Sequence, residues 1–249
     1  MAARRATAHY SGISGISRRG VTLALTMAAL APRRASATSV ARQAGATGKL
    51  LVRGTADLPG GVMAWRVVQD MADTMGVLSE QRALGFAVNS SPFTDLLFTD
   101  DLTGSAALLA PGEASFVREG VMQRRESLGD GPEAYLRIGL VDAGAATYTG
   151  GDRLIFAGPP FTVEPGVRTL ALRRWSLALD DVIEPGVGVG EALVLVEQGE
   201  IDLSAGIDPV ERLRATVGSD TVYAVRSAPP PLHLVAQRDA TSVLIATIS

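Results

Sequence analysis

Gln123, Arg125 and Ser127 alternate along "MQRRES", a short run that reads as a strand. Successive strand side chains point to opposite faces, so these three share one face while Arg124 and Glu126 take the other. A guanidinium flanked by an amide and a hydroxyl suits a small polar ligand. Arginine grips a carboxylate with two parallel hydrogen bonds, and the neutral groups complete the ligand's bonding. The same residues also suit the solvated end of a strand, and the sequence leaves both readings open. His233, in "LHLVAQ", is the other group with chemistry to offer. It is a candidate general base or lone ligand, set against a plain histidine at a strand start, which is the favoured reading. Alternation places His233, Val235 and Gln237 on one face.

The rest of the composition narrows the chemistry. The chain of 249 residues has no Cys, which removes thiolate nucleophiles, disulfides and every cysteine-based metal site. It has two His, His9 and His233, so no site in one chain can use three. No nucleophile-elbow pattern supports a Ser-His-Asp triad. "GVGVG" lacks the strand-helix setting of a dinucleotide loop and reads as a connecting loop. Asp95, Asp100 and Asp101 flank a turn and read as solvated. Trp65 and Trp175 sit in arginine-bearing strands; each is a candidate stacking surface, and more readily a core residue. No cofactor is implied.

The N-terminus reads as an export address. Arg18 and Arg19 form a twin-arginine pair, an apolar run follows from Gly20 to Ala31, and Ala35-Ser36-Ala37 is a small-residue cleavage site. This pattern resembles a twin-arginine translocation signal. The run is too short to cross a membrane as a helix, which takes about 20 apolar residues. The expected organisation is a signal over residues 1–37, a flexible lead-in over 38–48, and a mature periplasmic or extracellular chain. Removing 1–37 leaves 17 basic and 26 acidic residues, a net charge of −9. Such a surface repels nucleic acid and anionic membranes, and no basic stripe interleaved with aromatics offsets it.

From Lys49 onward the pattern is short β-branched runs separated by Pro and Gly turns, without helical heptads, which predicts an all-β fold. The runs form two similar series, 49–143 and 144–249. "LLAPGEASFV" matches "RATVGSDTVY" in its Gly and strand formers, and "YLRIGLV" and "SVLIATI" close each series. This predicts two tandem jelly-roll barrels.

At this point the chain resembles the cupin superfamily, whose small jelly rolls often occur in tandem. Gly112 and Gly120 occupy the two glycines of that family's second motif, with "ASFV" between them. Arg118 stands for its Pro, Gln123 for its metal-binding His and Ser127 for its Asn. In the second series Gly199 matches the glycine that closes the first motif, but Ala192 falls where a ligand Glu belongs. Glu191 is one residue off and faces the other way. The resemblance thus implies a bicupin that has lost its metal ligands. The expectation is an exported, metal-free barrel protein that binds a small polar or carboxylate ligand, with homodimerisation through edge strands. Two alternatives stand beside it. One is a metal-independent isomerase or lyase using His233 or a carboxylate of raised pKa as base. The other is a structural or stress-protective barrel with no ligand.

Overall fold

The structure, a computed structural model, describes residues 46–148, 150–183, 191–205, 211–214, 221–226 and 232–249. The expected signal, most of the lead-in, His9 and the "GVGVG" loop lie outside them. The first half of the chain runs through β1 (Thr47–Leu58), β2 (Gly61–Ala72), β3 (Val77–Glu80), β4 (Leu84–Asn89), β5 (Leu96–Asp100), β6 (Ala106–Leu109), β7 (Ala114–Val117), β8 (Met122–Ser127) and β9 (Glu133–Asp142). A single 3-10 turn at Ala143–Ala145 leads to the second half. There follow β10 (Arg153–Ala157), β11 (Phe161–Val163), β12 (Gly166–Leu177), β13 (Val182–Ile183) and β14 (Glu191–Gln198). The chain ends through β15 (Glu200–Ala205), β16 (Glu211–Arg214), β17 (Thr221–Arg226), β18 (Leu232–Ala236) and β19 (Thr241–Ile248). Among the described residues no helix is long and apolar enough to cross a membrane.

The all-β, two-jelly-roll expectation holds. One barrel closes the sheet β10-β2-β9-β4-β7 over β3-β8-β5-β6; the other closes β1-β12-β19-β14-β17 over β13-β18-β15-β16. The internal similarity in the sequence is a correspondence of strands, since β6-β7 and β9 occupy the places in the first barrel that β16-β17 and β19 occupy in the second. Gly112 and Gly120 sit in turns at φ +78° and +77°, a conformation that side chains with a Cβ avoid. β3 and β13, four residues and two, are too short to carry a period and were not foreseen.

The sheets do not divide where the two series meet at residues 143 and 144. β1 leaves its own half to pair with β12, from Thr47↔Ser176 to Leu58↔Gly166. In return β10 and β11 pair with β2. Each half therefore lends its leading strand to the other. β1 also starts at Thr47, inside the span expected to be a flexible lead-in.

The packing explains why several strands read as unbroken apolar runs. In β4, Leu84, Phe86 and Val88 face the other barrel while Gly85 and Ala87 face the interior, so all six residues are buried. Large side chains on one face and small ones on the other let a sheet be covered on both sides. The large face joins Trp65 and Val67 of β2 and Leu136, Ile138 and Leu140 of β9. These meet Leu170 and Leu172 of β12, Leu193 and Leu195 of β14, and Leu244 of β19. The two large sheets thus stack back to back.

Candidate functional site

The interiors of the two barrels differ in chemistry. The second is filled by aliphatic side chains, among them Val194 and Val196 of β14, Ile201 and Leu203 of β15, Leu234 of β18 and Ile245 of β19. Ala192 is part of that filling, so the position where the sequence lacks a ligand carboxylate holds a methyl group. The first barrel is apolar at one end, where Leu96, Phe98 and Leu109 gather round Tyr135. Its other end is charged.

Strand alternation builds that charged end. On β2, Trp65 and Val67 point to the other barrel, which turns Arg66 and Asp70 inward. Antiparallel register sets Asp70 opposite Tyr135, and Val68 opposite Arg137, on β9. Across the barrel, β8 buries Arg125 and Ser127 and leaves Arg124 exposed, with Phe98 of β5 paired to Arg125. Arg125 is 4% exposed and Tyr135 0%. A buried guanidinium demands a counter-charge, and Asp70 supplies it. Arg125 Nη1 donates to Asp70 Oδ2 and to the Tyr135 hydroxyl. Tyr135 donates to the same carboxylate oxygen at 2.5 Å, and Arg137 Nε lies 3.5 Å from it. Phe98 stands edge-on to the Tyr135 ring, with centroids 5.2 Å apart, and closes the floor.

Above this network lies a cavity of about 230 Å³ lined by Arg66, Arg82, Arg125, Arg137, Asp70 and Asp152, with Val77 and Ser79 of β3 on one side. The segment that follows the 3-10 turn forms its rim. Arg66 Nη1 donates to the carbonyls of Tyr148 and of Ala145, the latter at 3.3 Å. Arg82 Nη1 donates to the Tyr148 hydroxyl at 3.1 Å, with its guanidinium over the ring. Asp152 accepts from Arg137 Nη2. Ser79 Oγ, Gln123 Oε1 and Arg125 Nε are buried and have no hydrogen-bond partner among the described residues.

Asp70 and Asp152 are shifted in opposite directions. For Asp70 burial acts to raise the pKa, but Arg125, the Tyr135 hydroxyl and Arg137 outweigh it and hold the carboxyl below the usual range. For Asp152 burial prevails over Arg137, the neighbouring Asp70 carboxylate adds to it, and the carboxyl is pushed up. Burial, followed by the Arg137 charge, lowers Arg66. Burial also raises the Tyr135 phenol, which stays protonated and serves as a donor.

Of the residues singled out in the sequence, Arg125 alone lines the cavity. Gln123 shares its face, opposite Ser79 in the β3-β8 register. Ser127 is engaged in a turn, where its hydroxyl donates to the Gly131 carbonyl at 2.8 Å. His233 is not brought to them. It lies on β18 of the second barrel, where Leu234 and Ala236 are the residues that enter the core. His233 therefore takes the face opposite these core residues. Trp65 is core, 1% exposed. Asp100 secures a turn, its carboxylate accepting from the backbone N–H groups of Leu102 and Thr103 at 2.9 Å. Arg66, Asp70, Arg82, Arg137 and Asp152 were missed; for Arg66, Asp70 and Arg137 the available signal was a charged residue at an inward position of an otherwise apolar strand, while Arg82 and Asp152 lie between strands and gave none.

The residues present do not fit the transition metal that the resemblance brings with it. Such ions take imidazole nitrogen and carboxylate oxygen, whereas guanidinium groups offer no lone pair and repel a cation. Among the described residues no three His, Asp or Glu side chains gather in a group able to hold an ion.

No family model matches the chain, and no curated protein does. Solved structures similar to it are cupin-fold proteins. YhaK from Escherichia coli is 13% identical at a TM-score of 0.49, over 78% of this chain and 92% of its own. Procruciferin, an 11S globulin from Brassica napus, is 8% identical at 0.49, over 80% and 84%. A cupin 2 conserved barrel domain protein from Leptotrichia buccalis is 11% identical at 0.42, over 83% and 90%.

Proposed function

We propose that the first barrel binds a small organic anion in its arginine-lined cavity, and that the second barrel is its structural support. The observation that carries this is the convergence of Arg66, Arg82, Arg125 and Arg137 on one cavity of about 230 Å³ in an otherwise acidic protein. Against them stand Asp70, Glu80 and Asp152, so the lining keeps a formal charge of +1. The volume is below the roughly 300 Å³ at which pockets for drug-sized ligands begin, which selects a short molecule. The test is a thermal-shift titration with short carboxylates. Binding should raise the melting temperature, and Arg82→Gln, a change at the rim, should weaken it roughly ten-fold or more. Affinity should also rise as pH falls through the raised pKa of Asp152. Protonation there removes a negative charge from the lining, while Asp70 stays ionised beside Arg125 and Arg137. Asp152→Asn should abolish that dependence. An unchanged melting temperature with every carboxylate would end this reading.

A second reading is proton transfer on the same ligand, favoured by the split between Asp70 and Asp152. Paired acids held at different pKa values divide the roles of charge stabiliser and base. Solvent deuterium should then enter the α-carbon of a bound acid in heavy water, as followed by NMR, and Asp152→Asn should stop it. No exchange above the protein-free rate would exclude it.

We propose further that the protein is exported with its signal removed near Ala37, on the strength of the twin-arginine pattern. Cell fractionation with N-terminal sequencing should find a chain beginning near residue 38 outside the cytoplasm. Retention of an intact N-terminus in the cytoplasm would refute it.

A further inference from the structure

The four cavity arginines fall into two classes. Arg125 and Arg137 are matched by the carboxylates of Asp70 and Asp152. Arg66 and Arg82 have no carboxylate within ion-pair reach among the described residues. Their acceptors are the neutral carbonyls of Ala145 and Tyr148 and the Tyr148 hydroxyl. Arg66 is nonetheless 4% exposed, and a buried cation held by neutral acceptors is costly unless an anion joins it. Both guanidiniums line the same cavity and bond to Tyr148, Arg66 at its backbone carbonyl and Arg82 at its ring hydroxyl. Gly150 lets the Arg82 guanidinium pack against the backbone, since a Cβ there would lie 2.4 Å from Arg82 Nη1.

Two further features describe the rest of the ligand. The lining charge of +1 matches one negative charge, not two. Ser79 Oγ lines the same cavity, buried and without a hydrogen-bond partner among the described residues. A buried hydroxyl left unbonded is expensive, and a ligand hydroxyl, which both donates and accepts, satisfies it. We propose that the cavity takes a short hydroxy monocarboxylic acid, its carboxylate gripped by Arg66 and Arg82 and its hydroxyl bonded to Ser79. This rests on the organic-anion reading above and names the chemical class of the ligand.

Isothermal titration of the purified protein with two matched pairs, lactate against propionate and 3-hydroxybutyrate against butyrate, tests it, with succinate as the dianion. In at least one pair the hydroxy acid should bind roughly two- to ten-fold tighter, the worth of one neutral hydrogen bond. Ser79→Ala should erase that preference while leaving the affinity for the deoxy acid unchanged. Arg82→Gln should weaken both members equally. Equal binding within both pairs overturns the hydroxyl assignment, and tighter binding of succinate overturns the single charge. In either case the organic-anion reading survives, and it fails only if none of the five acids binds.

Discussion

Asp70→Ala should cost about 3–5 kcal/mol at neutral pH, the penalty for leaving a buried guanidinium without its counter-charge. Arg125 is 4% exposed and, among the described residues, no second carboxylate is bonded to it, so no other anion takes over the role of Asp70. Tyr135, wholly buried, loses the acceptor of its hydroxyl in the same step. The double variant Asp70→Ala/Arg125→Met should recover much of the loss, because an apolar pair avoids the desolvation of both charges. Acid sets the sign of the pH effect. The folded pKa of Asp70 is depressed, so its contribution is complete above the ordinary carboxylate value of about 3.9 and fades as pH falls through the folded value. Wild type and Asp70→Ala should therefore converge in strong acid. Chemical denaturation at several pH values measures this, and a single-variant loss under about 1 kcal/mol at pH 7 would show that the network is not the anchor described.

Trp65→Ala should cost a similar amount, about 3–5 kcal/mol, by opening a cavity that the surrounding sheets cannot collapse to fill. Trp65 is 1% exposed and sits where the two large sheets stack. The remaining tryptophan, Trp175, lies on β12 in the other barrel's large sheet. Its fluorescence should nonetheless report the same lowered midpoint, because the halves share strands and the interface and unfold as one unit. An unshifted Trp175 transition would mean that the barrels unfold separately.

How far the sequence reveals this molecule depends on what each residue's neighbours disclose. The strands, the duplicated order and the glycine turns at Gly112 and Gly120 follow from local chemistry and are legible. Strand exchange is not, since the same alternation in β1 suits pairing with β2 or with β12. Arg125 was found because its strand is polar. Arg66, Asp70 and Arg137 were passed over because "MAWRVVQDMA" and "YLRIGLV" are covered on both faces, and apolar neighbours mask which residues look inward. For "LHLVAQ" alternation grouped His233, Val235 and Gln237 correctly but did not say that Leu234 and Ala236 enter the core.

The exchange of strands also sets the order of events at the ribosome. β1 has no partner in its sheet until β12 exists, and Leu58 finds Gly166 108 residues further along the chain. At a synthesis rate of about 5–20 residues per second, that is a wait of roughly 5–20 seconds with an open edge. The nascent first half cannot finish alone, and long-range antiparallel pairing is slow to nucleate even once complete. A chain built this way completes its sheets only after its second half has emerged.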